Sequence, residues 1–263
     1  MPEGDTVWLA ARRLSEALAG HVLTRADLRV PALATTDLAG RTMVSVASRG
    51  KHLLMRISDG RTLHSHLRME GSWHLYLPDQ RWHGGPMHTV RAILGTNGRT
   101  AVGYRLGELD VWHTSEEGLH LAHLGPDVLG EDWDLDEALR RLRRNPGTPV
   151  VDALRDQGNL AGLGNIYVCE SLFLSGVHPF TPVRAVVDLA AVVITARRLI
   201  RRNAPRASQS TTGDERRPHY VHGRRNRPCL RCGDTVRAAE EGPAGRRRWT
   251  FWCPTCQAQP MSE

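Results

Sequence analysis

Residues 229–232 read Cys-Leu-Arg-Cys, and after twenty intervening residues 253–256 read Cys-Pro-Thr-Cys. Two Cys-x2-Cys pairs at this separation fit a four-thiolate zinc site on paired turns, with Cys229, Cys232, Cys253 and Cys256 as ligands to one ion. Disulfides are the alternative, but a cytoplasmic protein does not keep them. Four protein ligands leave no open position, so such an ion holds structure and does no chemistry. Between the pairs lies Arg246-Arg247-Arg248-Trp249. In a zinc hairpin this is a basic tip suited to phosphates or a groove; otherwise it is a solvated turn. The fifth cysteine, Cys169, sits in an apolar run and reads as a small buried hydrophobe.

Upstream of the cysteines the pattern is helical. LDEALRRLRR (135–144), VVDALRD (150–156), GNIYVCESLFLSG (164–176) and Val183–Arg202 each read as helices, and DQGNLAGLG (156–164) sets three glycines between the second and third. Residues 204–227 are polar and Arg-rich without a period, which predicts a mobile loop or linker. Nearer the N-terminus the period changes. MVSVAS, HLLMRIS, TLHSHLRM, SWHLYL, HTVRAIL and TAVGYRL are short strand-like runs separated by turns, with Asp59-Gly60 and Asn97-Gly98 as hairpin signals. They predict a β-sandwich to about residue 115. Residues 5–19 precede it as an amphipathic helix, with Asp5 or Thr6 to cap it and Gly20 to end it.

The 263 residues are enough for two domains, and 40% are hydrophobic. No apolar run is long enough for a membrane span, and MPEGDTVW shows no secretory signal, so a cytoplasmic location is expected. The net charge is +7, yet residues 197–263 alone carry fifteen arginines against six acidic residues. Such a basic C-terminal quarter suggests a nucleic-acid partner. Of the 35 basic residues only Lys51 is lysine. Either chance spared it, or its task needs a compact point charge that a forked guanidinium cannot supply. His64-x-His66 reads as an ordinary strand with partly buried imidazoles in preference to a metal pair. His52 has no assigned partner.

Several motifs together resemble one family. Met1-Pro2-Glu3-Gly4, Gly50-Lys51-His52-Leu53-Leu54, Asp156-Gln157 leading to Ala161-Gly162-Leu163-Gly164-Asn165-Ile166-Tyr167, Val221-His222-Gly223-Arg224 and Arg248-Trp249-Thr250-Phe251-Trp252-Cys253 occur in this order. They are similar to the formamidopyrimidine-DNA glycosylase and endonuclease VIII family. The resemblance implies an α+β multidomain fold: an N-terminal helix and β-sandwich (1–118, catalytic), a helix–two-turns–helix DNA-binding domain (125–205), and a linker loop with a zinc-finger β-hairpin (206–263). It also implies roles. Pro2 would be the nucleophile after Met1 is removed, and Glu3 its acid/base partner. Lys51 would contact DNA near the reacting sugar carbon. Asn165 would hold a phosphate and Arg248 the backbone across the lesion. Met69, in HLRMEG, lies where the family places a wedge. Relatives often carry Glu where Thr6 stands; the PEGDT start looks closer to endonuclease VIII-like members.

The chemistry suits these residues. An N-terminal amine titrates at about 7.7–8.0, so much of it is neutral near physiological pH, whereas lysine titrates near 10.4. A helix beginning just after Pro2 should favour the neutral amine further. The reading is a bifunctional DNA glycosylase and abasic-site lyase acting on oxidised bases, pyrimidines in particular, in damaged DNA. It is expected to work as a monomer, with structural zinc and no small-molecule cofactor. A purine-directed enzyme for 8-oxoguanine and formamidopyrimidines is the alternative, since HLRMEG resembles that branch. A non-catalytic zinc-containing DNA-binding protein would not need Pro2, Glu3 and Lys51. An RNA-binding zinc ribbon would leave the N-terminal motif unexplained.

Overall fold

A computed structural model describes residues 2–241 and 247–259. Met1 and Arg246, the first arginine of the basic tip, lie outside the described residues. The chain divides into two compact units, 1–123 and 124–263.

The first unit opens with α1 (Gly4–Leu18), one residue earlier than the periodicity predicts. Glu3 occupies the N-cap without a side-chain capping bond, so Asp5 and Thr6 fall inside the first turn and do not cap it. Instead the Asp5 carboxylate accepts the Thr6 amide at 2.7 Å. Val7, Ala11, Leu14 and Leu18 form the buried stripe. After Gly20, at φ +80°, eight strands build two antiparallel sheets. One has the order β1 (Arg25–Leu28), β6 (Val90–Gly95), β7 (Thr100–Tyr104), β5 (Ser72–Tyr76). The other has the order β2 (Met43–Arg49), β3 (His52–Ile57), β4 (Arg61–His66), β8 (Glu108–His113). Leu28, Met43, Leu53, Met55, Leu63, Ala92, Leu94 and Ala101 come from both sheets and share one core with the α1 stripe. The helix packs on β2 and β3. A second apolar cluster, Tyr76, Val90, Ile93, Val102 and Tyr104, involves β5, β6 and β7.

Both hairpin signals are realised: Gly60 sits at φ +82° between β3 and β4, and Gly95 pairs with Thr100 around Asn97-Gly98. Two strands were not predicted. Both β1 and β8 are sheet edges. Their mixed charge serves an edge, where one side of the ladder meets water, and hides them from a hydrophobic pattern. TLHSHLRM is strand only as far as His66; the chain then turns, with Arg68 at φ +53° and the Gly71 amide donating to the Leu67 carbonyl at 2.8 Å.

The second unit contains α3 (Leu135–Leu142), α4 (Val150–Arg155), α5 (Asn165–Leu174) and α6 (Leu189–Asn203), after a short α2 (Glu117–His120) that closes the first unit. Asp134 caps α3 and Asp188 caps α6, accepting the Glu137 and Ala191 amides at 3.0 and 2.8 Å. The Asp188 cap is why the predicted helix Val183–Arg202 divides: a 3₁₀ turn at Val183–Ala185 precedes α6. The glycine turn is organised by Gln157, which donates to the carbonyls of Arg155 and Leu163 and accepts the Gly162 amide. Every residue of α5 from Asn165 to Phe173 is buried, so this helix forms the centre of the unit.

The polar stretch after α6 is not a free linker. Asn203 bonds the Ser210 backbone on both its amide N–H and carbonyl. Glu170 on α5, with no solvent exposure, accepts the amides of Tyr220, Val221 and His222 at 2.8, 2.8 and 2.9 Å, and the Thr211 hydroxyl. A single buried carboxylate thus fixes a segment whose composition reads as loop. The antiparallel hairpin β9 (Arg237–Glu241) and β10 (Arg248–Trp252) follows. Among the described residues no helix is long and apolar enough to cross a membrane.

Candidate active site and metal centre

Pro2 is half-buried and Glu3 fully buried, immediately ahead of α1. The Val7 amide donates to the Glu3 carbonyl at 3.1 Å, so the first helical bond closes on Glu3 and Pro2 stands at the helix's positive end. Lys51 occupies the two-residue connection between β2 and β3: Arg49 pairs with His52, leaving Gly50 and Lys51 as the turn. Gly50 has φ +58°, a conformation glycine reaches without a Cβ penalty. Lys51 is half-buried there. Met69 lies on the turn after β4 and is 65% exposed, an apolar side chain held in water.

In the second unit Asn165 is the first residue of α5, following Gly164, whose N-cap position offers no side chain. The Asn165 side chain points inward: its Nδ2 donates to the Trp249 carbonyl at 2.8 Å, and its Oδ1 accepts from Arg155. Arg155 also donates to the Thr250 hydroxyl at 2.8 Å. The end of α4, the start of α5 and β10 therefore meet on one guanidinium. Arg248 begins β10 and is exposed, next to Trp249, over which Arg225 stacks at 5.0 Å.

Arg155 escaped the sequence reading because a basic residue at the end of VVDALR looks like an ordinary helix C-terminal cation. Its 7% exposure is the surprise. Replacing it by alanine should leave Asn165 Oδ1 and Thr250 Oγ1 without their charged donor, at a cost of about 3 kcal/mol. Arg155→Ala should therefore lower Tm by several degrees in a thermal melt, and an unchanged Tm would remove the network from the stability argument. Glu170 escaped for a similar reason, as one acid in an apolar helix.

The four cysteine sulfurs all lie within 4.8 Å of one another. Cys229 and Cys256 Sγ are 3.9 Å apart and Cys232 and Cys253 Sγ 3.4 Å. Tetrahedral ligation with metal–sulfur bonds of about 2.3 Å needs sulfurs about 3.8 Å apart, so the residues fit a four-thiolate ion. Cys229 and Cys253 also pack with Cys169, Phe173, Val221 and Val236 in a small core. Burial pushes the Cys169 thiol up to about 11, and it stays outside the ligand set.

Residues 1–105 match the family model for the formamidopyrimidine-DNA glycosylase N-terminal domain, and residues 124–212 that for its H2TH domain. A protein of Streptomyces coelicolor described as probable endonuclease 8 2 is 56% identical, covering 99% of this chain and 95% of its own. The DNA-(apurinic or apyrimidinic site) lyase Nei2 of Mycolicibacterium smegmatis is 42% identical over 98% of this chain and 99% of its own. The formamidopyrimidine-DNA glycosylase of Lactococcus lactis, solved non-covalently bound to DNA with an abasic site, superposes with a TM-score of 0.82 at 24% identity, covering 98% of this chain and all of that one. Sheets, helical unit, cysteine cluster and these matches agree: the chain belongs to the formamidopyrimidine-DNA glycosylase and endonuclease VIII family of DNA glycosylases and abasic-site lyases, on the endonuclease VIII side.

Proposed function

We propose that this protein excises oxidised pyrimidines from damaged DNA through a Schiff base on Pro2 and then nicks the strand by elimination. The observation that carries the reading is the placement of Pro2 at the start of α1 with the buried Glu3 as its neighbour. With Met1 removed, Pro2 is a secondary amine, and the helix terminus disfavours its protonated form. The amine attacks C1′ and the damaged base departs with its bonding electrons and takes up a proton. The C1′–O4′ bond then breaks, O4′ takes up the proton that the amine gives up, and the opened sugar is left as an iminium. That cation acidifies C2′; loss of a C2′ proton expels the 3′ phosphate. Glu3 is the group suited to move these protons.

Chemistry and exposure support the remaining roles that the family resemblance implies. Exposed Met69 suits a wedge in the space left by an everted base. The start of α5, at the helix's positive end, suits a phosphate, and the inward Asn165 side chain ties that terminus to β10. Exposed Arg248 suits the backbone opposite. The cysteines would hold zinc, which contributes the hairpin's fold and no reaction step.

The lesion class is tested on a duplex panel. Thymine glycol and dihydrouracil should be cleaved faster than 8-oxoguanine paired with cytosine; the reverse order would move the enzyme to purine lesions while leaving its nucleophile intact. Lys51 is tested by Lys51→Arg, which keeps the charge but replaces a compact ammonium by a broader plane. Misplacing reacting groups by about 1 Å can cost roughly a hundredfold. Single-turnover excision of a damaged base should fall by about that factor, with a smaller loss on a preformed abasic site. Wild-type rates on both would end the catalytic role of Lys51.

A further inference from the structure

Strands β3 and β4 of the β2–β3–β4–β8 sheet, with β8 beside them, gather an imidazole cluster that the repair chemistry does not use. His52 pairs with His66 across β3 and β4, while His64 and His66 pair with Asp110 and Glu108 across β4 and β8. Residues opposite each other, or two apart on a strand, share a face, so all five side chains rise on one side of the sheet. His64, 2% exposed, has Nε2 2.9 Å from His52 Nδ1 and Nδ1 3.3 Å from Asp110 Oδ2. Trp112 stacks on His64 with ring centroids 4.1 Å apart, and His120 stacks on Trp112 at 4.2 Å. His66 meets His52 edge-on at 4.9 Å, and His123 lies 6.1 Å away. One ligand atom from each of His52, His64 and Glu108 falls within a mutual 4.8 Å.

We propose that His52, His64 and Glu108 form a second metal site, for a divalent transition ion of the zinc type, separate from the four cysteines. Two imidazole nitrogens and a carboxylate oxygen are a borderline donor set that suits such an ion and disfavours calcium or magnesium, which want oxygen throughout. Metal–nitrogen bonds of about 2.0–2.1 Å place two tetrahedral nitrogens about 3.3 Å apart. The present 2.9 Å separation needs to open only by a few tenths of an ångström. Asp110 is the outer carboxylate that metal-bound histidines commonly use. By holding the proton on His64 Nδ1 it turns the Nε2 lone pair toward His52. In the metal-free pair His52 carries its proton on Nδ1; on binding, that proton moves to Nε2 and none is released. Burial, above all, pushes His52 down to about 3 and lowers His64, so both rings are neutral near pH 7. Glu108 also pairs with Arg68, and its second oxygen serves the ion. Three protein ligands leave one position for water.

The test uses untagged full-length protein whose cysteine site is already loaded. Equilibrium dialysis against micromolar Zn²⁺ should show a second equivalent. Co²⁺ added in its place should give a visible d–d spectrum without the thiolate charge-transfer band of the cysteine site. His52→Gln and Glu108→Gln should each weaken the second equivalent at least tenfold. Asp110→Asn should weaken it by about 10–100-fold, as loss of an outer partner does. Exposed His88→Gln should change nothing, and melts should show that each variant folds. A single equivalent in wild type would mean that the imidazoles are only a hydrogen-bonded pair. A second equivalent of undiminished affinity in both His52→Gln and Glu108→Gln would mean an adventitious ion only. Either result overturns the site.

Discussion

Borohydride trapping of an abasic-site oligonucleotide should fall to background when Met1 is retained or a tag is fused ahead of Pro2. The reason is valence. At the free terminus the proline nitrogen is a secondary amine and can become an iminium. Behind another residue it is a tertiary amide whose lone pair is delocalised, and no Schiff base can form. The fold should hold, because α1 is stabilised by Val7, Ala11, Leu14 and Leu18, away from the terminus. Binding to undamaged DNA should therefore survive while trapping is lost. The measurement is the fraction of covalent complex on a denaturing gel, for blocked and processed protein side by side. Trapping by the blocked protein at the wild-type rate would place the nucleophile elsewhere, with Lys51 the first alternative.

Cys253→Ser should have the second largest effect. Cys253 has no solvent exposure and belongs both to the thiolate cluster and to the small core with Phe173 and Val221. Metal binding and folding are linked in such modules, so the variant should lose its zinc and the β9–β10 hairpin together. The Arg155 and Asn165 bonds to Thr250 and Trp249 would go with it, and Arg248 would lose its place. DNA affinity should drop, and log K against log salt should become shallower by about 0.9 for each lost phosphate contact. Metal content, near-UV dichroism and salt-dependent binding would check this. Full affinity at unchanged salt slope in zinc-free protein would show that the hairpin does not contribute to DNA binding.

Much of the scaffold was legible because its determinants are local. Hairpin dipeptides marked turns, apolar runs marked β2 to β7, and Cys-x2-Cys spacing marked the metal cluster. What escaped depends on partners distant in sequence. The edge strands β1 and β8 lack an apolar alternation because the sheet leaves them half solvated. Arg155 and Glu170 are polar residues inside helices, and only the folded chain shows that each is the common partner of several backbone and side-chain groups. His64-x-His66 reads as one strand with partly buried imidazoles and His52 stands unassigned in the sequence; antiparallel registers across β3, β4 and β8 bring them together. Motif similarity pointed to Asn165, but could not show that its side chain serves β10.

The Glu170 clamp also sets where this chain can tolerate change in length. Three of its four donors are consecutive main-chain amides, at Tyr220, Val221 and His222, and the fourth is the Thr211 hydroxyl. Residues gained or lost between 212 and 219 alter a loop whose two ends stay anchored, and closing a longer loop adds only about 0.6 kcal/mol per doubling. An insertion within 220–222 would instead shift the register of all later amides against one fixed carboxylate. Proline there would remove a donor outright. Insertions and deletions among natural variants should therefore collect in 212–219 and stop at Tyr220.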